Sequence, residues 1–170
     1  MRIRLAEASD AEAIRAIYNA EVTSSVVTFD IVPWTLGDQL AWLEHHRGAH
    51  PAIVAVDGEA EGDGPSEAPV LGYGSLSPYR PRPAYATTVE DSVYVGRDAR
   101  GQGVGRRLLE ELIRLAADHG FHTIIGRTEG GNEASIALHT GCGFEIVGVE
   151  REVGRKHGRW LDVVELQLLL

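Results

Sequence analysis

The amino-acid sequence predicts one mixed α/β domain. Three observations carry this. Apolar residues repeat at strand spacing and at helix spacing by turns along the chain. A glycine-rich turn at residues 100–105 joins one such strand to a long amphipathic helix. The chain has 170 residues and is 44% hydrophobic, enough for a single sizeable core.

Ile3, Leu5 and Ala8 fit a short first strand. Ser9 or Asp10 caps a first helix, in which Ile14, Ile17, Tyr18 and Val22 recur at helical spacing. Pro33 breaks the following segment, and Thr35 caps a second helix with Leu36, Leu40 and Leu43 along one side. Ile53–Val56 reads as a strand. Residues 58–69 carry no large apolar side chain and are rich in Gly, Pro and acids, which predicts an exposed hairpin loop within one domain spanning 1–170. Val70–Leu76 is the next strand. Pro78, Pro81 and Pro83 stiffen the connection into a further strand, Tyr85–Val95. The long helix runs over Gly103–Gly120, burying Val104, Leu108, Leu112, Leu115 and Ala116, and Gly120 ends it. Phe121–Arg127 is a strand, and Asn132–Gly141 is a helix capped by Asn132. Phe144–Val149 and Trp160–Leu170 are the last strands, with Val164, Leu166, Leu168 and Leu170 alternating in the second. No internal repeat is visible.

Composition excludes several functions. The formal net charge is −9 and the sequence pI is about 5.2, which opposes bulk binding to nucleic acid or anionic membranes. No apolar run approaches the roughly 20 residues of a membrane helix, and the first residues turn polar too early for a secretory signal. A cytoplasmic protein is expected. His45 and His46 are adjacent, so on a helix they point about 100° apart, and no metal site is expected. Cys142 is the only cysteine. It has no evident partner base and is not read as a nucleophile.

The turn itself, Arg100-Gly101-Gln102-Gly103-Val104-Gly105-Arg106, points to an anionic ligand. Its glycines remove Cβ atoms where a ligand would touch backbone. Free N–H groups at a helix start suit a pyrophosphate, and Arg100 and Arg106 add positive charge. A dinucleotide fingerprint would want glycine at position 106, and a nucleoside-triphosphate loop a Gly-Lys-Ser/Thr ending; neither is present. On these residues alone, a tight turn without a ligand stays open.

Arg100, Gly103 and Gly105 resemble the Gln/Arg-x-x-Gly-x-Gly/Ala signature of the GCN5-related N-acetyltransferases (GNAT). Asn132 to His139 followed by Gly143-Phe144 is similar to that superfamily's second motif. Tyr85 to Val95, residues 132–139 and Lys156 to Asp162 look more narrowly like the phosphinothricin and methionine sulfoximine acetyltransferases, as do Trp34 and residues 23–29. The resemblance implies a mostly antiparallel twisted sheet, splayed between its fourth and fifth strands and flanked by about four helices. It implies acetyl-CoA as cosubstrate, a small amine as acceptor, and a homodimer.

The resemblance also implies roles. Glu90 is the general base that takes a proton from the attacking amine. His139 stands where most of the superfamily has Tyr. It serves as acid, as base or as a structural residue. The backbone of Val93, Tyr94 and Val95 pairs with the pantetheine arm, and an N–H there stabilises the oxyanion. Asn132 and Ser135 contact coenzyme A, although the helix cap alone also accounts for Asn132. Independently of the resemblance, an amino-acid-like acceptor carries a carboxylate, and Arg80, on the stiff loop before Glu90, is the expected anchor for it, with Arg82 nearby. Phe29, Ser75, Tyr79, Tyr85, Thr88 and Val89 complete the expected acceptor site. Ala86 stands where the methionine sulfoximine type is expected to carry a basic residue. Arg151, Arg155, Lys156, His157 and Arg159 form a basic stretch, either a solvated hairpin or an arm to a neighbouring subunit. Other amine acceptors (a polyamine, an aminoglycoside or a protein N-terminus) and a non-catalytic acyl-CoA sensor remain as alternatives.

Overall fold

The structure is a computed structural model that describes residues 1–58 and 68–170. Most of the expected loop at 58–69 lies outside the described residues. Its flanking strands, β2 (Ala52–Val56) and β3 (Val70–Pro78), do pair antiparallel. Among the described residues there are also β1 (Arg2–Leu5), β4 (Thr88–Val95), β5 (Thr123–Glu129), β6 (Glu145–Lys156) and β7 (Arg159–Leu169). Four helices accompany them: α1 (Ala11–Ser24), α2 (Leu36–His45), α3 (Val104–Asp118) and α4 (Glu133–Gly141). None is long and apolar enough to cross a membrane.

The seven strands form one sheet in the order β1-β2-β3-β4-β5-β7-β6. Every neighbouring pair is antiparallel except β4 and β5. That parallel pair is short: only Thr88–Asp91 matches Thr123–Gly126. Beyond it β4 runs on to Val95 and β5 to Glu129 without pairing to each other. The expected splay is this parting.

Strand alternation gives the sheet two unlike faces. Gly72, Gly74 and Leu76 of β3 face α3. A Cβ on Gly72 would meet Leu108, and one on Gly74 would come within 2.9 Å of Leu112. Glycine therefore lets α3 lie close on the sheet. Leu108, Leu109, Leu112, Ile124 and Leu166 fill this core, all at 0% exposure. On the other face Tyr73 and Tyr94 stack at 5.3 Å beneath α1 and α2.

Some sequence-level expectations change here. The inner side of α2 is Gln39 and Leu43, while Leu36 and Leu40 are exposed. Thr35 caps α2 as expected, with Asp38 returning the bond. β4 starts at Thr88, because Pro83–Tyr85 forms a 3₁₀ turn. β6 continues to Lys156, so the basic stretch belongs to a long β6–β7 hairpin. In β7 Val163 is buried along with Val164 and Leu166, and Leu170 lies just past its end and is exposed.

Candidate active site

Two cavities adjoin at Tyr94 of β4. The first, of about 360 Å³, lies between β4, the glycine turn and α4. All of the expected cofactor residues line it except Gln102, whose Nε2 donates to the Asp98 carbonyl at 2.8 Å. Positive φ at two positions of the turn favours glycine there. Gly101 and Gly103 have φ of +74° and +79°, and a Cβ on either would meet nothing within 4 Å. Gly105 is tighter, since its Cβ would lie 3.3 Å from Leu138 of α4. Gly103 is the N-cap of α3. The N–H groups that follow it have no intrahelical acceptor and are free for a ligand.

The two turn arginines are already engaged. Arg100 Nη2 donates to Glu21 Oε1 at 2.9 Å and Arg97 Nε to the same oxygen at 3.2 Å. Burial opposes the charge of Glu21, but Ser25, Arg100 and Arg97 outweigh it and hold the carboxyl below its ordinary range. Arg106 donates to the Gly141 carbonyl at 3.3 Å. Asn132 caps α4 through Ser135 N–H at 3.2 Å while lining the cavity.

The second cavity, of about 380 Å³, lies on the α1–α2 face. Its floor is set by register: Ser77 pairs with Glu90, Ser75 with Ser92, and Tyr73 with Tyr94. Its walls include Tyr18, Trp34 and Trp42, and Asp30 Oδ2 accepts from Tyr18 Oη and Trp34 Nε1, each at 2.8 Å. Tyr94 lines both cavities, so the two adjoin there. Glu90 stands beside Ser77 on this face. Burial raises its pKa, opposed by the positive charges of Arg127 and Arg80.

The structure separates other expected residues. Ser75 is buried in the second cavity. Tyr79, Arg80 and Tyr85 form a cluster on the β3–β4 connection, with the Arg80 guanidinium 4.9 Å from the Tyr79 ring centre. Phe29 packs on the β6–β7 hairpin, where a Cβ on Gly154 would collide with its ring. Lys156 Nζ of that hairpin donates to the Thr28 carbonyl at 2.8 Å. Thr88 shares the Glu90 face. Val89 is buried in the opposite core at 0% exposure, so only its backbone can face an acceptor.

His139 also lies across the sheet from Glu90. Its Nε2 is 3.0 Å from Asp91 Oδ2 and its Nδ1 2.8 Å from the Ser135 carbonyl. Both neighbours are acceptors, which favours the doubly protonated ring. Burial works against that charge, but Asp91 and the carbonyl outweigh it and raise the pKa. Gly126 makes room: a Cβ there would lie 2.8 Å from the imidazole. Sequence reasoning set Asp91 aside because it points away from Glu90, which it does. It also missed Arg127, which is ion-paired with Glu150 and Glu165, and the aromatic cavity around Trp34 and Trp42. The Cys142 thiol is pushed up by burial, which disfavours a thiolate.

Comparison with known proteins places this arrangement. The chain is 41% identical over 169 residues to an L-methionine sulfoximine/L-methionine sulfone acetyltransferase of Pseudomonas paraeruginosa, covering 99% of this chain and 94% of the relative. A structure described as a ribosomal-protein-alanine N-acetyltransferase from Brucella melitensis superposes with a TM-score of 0.91 at 40% identity, over 100% of both chains. A GNAT phosphinothricin acetyltransferase from Sinorhizobium meliloti, in complex with acetyl-CoA, gives 0.90 at 36% identity over 99% of this chain and 88% of the other. The profile of the acetyltransferase (GNAT) family matches residues 13–144, and with its glycine turn, parted strands and adjoining cavities the chain belongs to that family.

Proposed function

We propose that this enzyme transfers the acetyl group of acetyl-CoA to the amino group of a small amino-acid-like acceptor, such as methionine sulfoximine or phosphinothricin. The observation that carries the reading is the meeting of two cavities at Tyr94, with Glu90 beside the second one.

The donor is the cosubstrate and the first cavity suits it. Free α3 amides and the helix dipole hold the diphosphate. The β4 edge at Val93–Val95, which has no β5 partner, accepts the pantetheine arm as an added strand. An N–H of that edge holds the developing oxyanion. The acceptor enters from the α1–α2 face and turns its carboxylate toward Arg80. Glu90, kept more basic by burial, takes the proton that the amine must lose. His139 orients α4 from behind the sheet, with its ring charge balanced by Asp91. We further infer a homodimer, supported by the exposed apolar residues of β6.

A panel of amine acceptors with acetyl-CoA and a free-thiol readout tests the reading. Turnover is expected with amino-acid analogues, and Glu90→Gln is expected to lower kcat about 10²–10⁴-fold. Turnover only with polyamines, aminoglycosides or peptide N-termini would overturn the acceptor class. The Brucella relative's name makes the peptide arm worth including. Tight CoA binding without any thiol release would favour a sensor.

A further inference from the structure

Gln39 has 1% exposure, lines the cavity beneath α1 and α2, and its Nε2 has no hydrogen-bond partner among the described residues. Burying an amide donor unpaired is costly, and a ligand oxygen would remove that cost. Nearby, Ser75, Ser77 and Ser92 put three hydroxyls on the same floor, while Trp34 and Trp42 wall it edge to face at 6.5 Å. The cavity is therefore apolar at its sides and hydrogen-bonding at its base.

Its charge is equally definite. No Lys or Arg lines it, and its one carboxylate is Asp30. The imidazole of His46 stacks on Trp42 at 3.9 Å. Burial lowers its pKa and favours the neutral ring, whose Nδ1–H donates to the Trp42 carbonyl while Nε2 accepts from Ser77. Lys156 is near enough for Asp30 to influence its charge, yet it spends its Nζ on main-chain carbonyls and does not line the cavity. An anionic tail would meet Asp30 with no counter-cation. A purely aliphatic tail would leave Gln39 unpaired.

We propose that this cavity is the side-chain subsite for the acceptor, that it selects a neutral tail ending in a hydrogen-bond-accepting oxygen (a sulfone, sulfoximine or carboxamide), and that Gln39 is the residue that reads that oxygen. The inference rests on the amino-acid acceptor reading and narrows it. The amine sits at Glu90 beside Ser77, the carboxylate turns outward to Arg80, and the tail runs inward to Gln39.

Gln39→Met keeps the length of the side chain and removes its amide. Wild type and variant are compared on L-methionine sulfone, L-norleucine and phosphinothricin, by thiol release and by calorimetry on CoA-loaded protein. Wild type is expected to prefer the sulfone to norleucine and to phosphinothricin. Gln39→Met is expected to reduce the sulfone-to-norleucine ratio of kcat/KM by about tenfold, mostly through KM. Its melting temperature without ligand is expected to hold or rise, since an unpaired buried amide is gone. An equal loss on all substrates, or wild-type use of phosphinothricin as good as of the sulfone, overturns the subsite. If wild type acetylates no amino acid, the acceptor reading falls, and calorimetry decides the subsite separately. Sulfone binding weakened in Gln39→Met supports it, and no sulfone binding by wild type overturns it. Gln39→Glu is the second variant should Gln39→Met not fold, and the same drop in the ratio is expected, because a carboxylate cannot donate.

Discussion

Glu90 and Asp91 are neighbours in sequence, yet the pleat sends them to opposite sides of the sheet, and each meets a different chemistry. If Glu90 is the base we propose, it must be ionised to act, and activity is expected to fall as pH drops through its pKa. Burial places that value above the ordinary carboxylate range, and Arg127 restrains the rise. Replacing Arg127 with Met should move the acid limb of kcat/KM to higher pH, a shift read directly from pH–rate profiles. An unmoved limb would mean that Glu90 does not govern it. Asp91 instead bears on stability. The His139 pKa is raised in the folded chain. The stability it adds is full below the unfolded His value of roughly 6.5 and is lost as pH rises through the folded value. Asp91→Asn should cost about 1–3 kcal/mol near pH 6 and less at pH 9, measured by urea unfolding at the two pH values. A cost independent of pH would exclude the charged pair. Glu90 stood out in the sequence because its neighbours resemble a known motif. The partner of His139 did not, because Asp91 is 48 residues away, and alternation says which way a side chain points but not what waits there.

At the scale of elements, the glycine turn was legible as a turn, and the positive φ at Gly101 and Gly103 adds a second cause for its glycines beside clearance for a ligand. No protein atom crowds a Cβ on Gly101 or Gly103, so within the chain itself it is positive φ that makes both positions favour glycine. The two causes predict different variants. If φ decides, Gly103→Asn, which tolerates the left-handed region, should lose little stability and keep most CoA affinity. Gly103→Val should lose about 1–2 kcal/mol or more and weaken CoA binding with it. Thermal melts and CoA titrations check this, and an equal loss of CoA affinity from Asn and Val would make clearance for the ligand the deciding cause. The inner face of α2 shows another limit of periodicity. Leu36, Leu40 and Leu43 look like a buried stripe, but the helix turns Gln39 inward against the tyrosines and tryptophans. A polar residue at a buried position reads from sequence as surface. Only the fold shows that its surroundings are a cavity.

Across the whole molecule, the sheet ends unevenly. β6 is the last strand, and Ile146, Val147, Val149 and Val153 on it are each more than half exposed, as is Trp160 on β7. An apolar edge strand of this length is a surface that chains cover by pairing. A second copy is the partner we infer, and sedimentation should give a particle of twice the 18.4 kDa chain mass. Replacing Ile146 and Val149 with Glu should yield the monomer, since two like charges would then face an apolar contact. The same variant separates the two roles left open for the basic hairpin. Lys156 already binds the Thr28 carbonyl of its own chain, and Gly154 seats that chain's Phe29. The hairpin therefore braces the segment after α1, at Thr28 and Phe29, from within one subunit. On that geometry the monomeric variant should keep an acceptor KM near the wild-type value. A large rise in KM with CoA affinity intact would instead assign Arg151, His157 or Arg159 to a neighbour's site, and a wild-type protein that sediments as a monomer would remove the interface altogether.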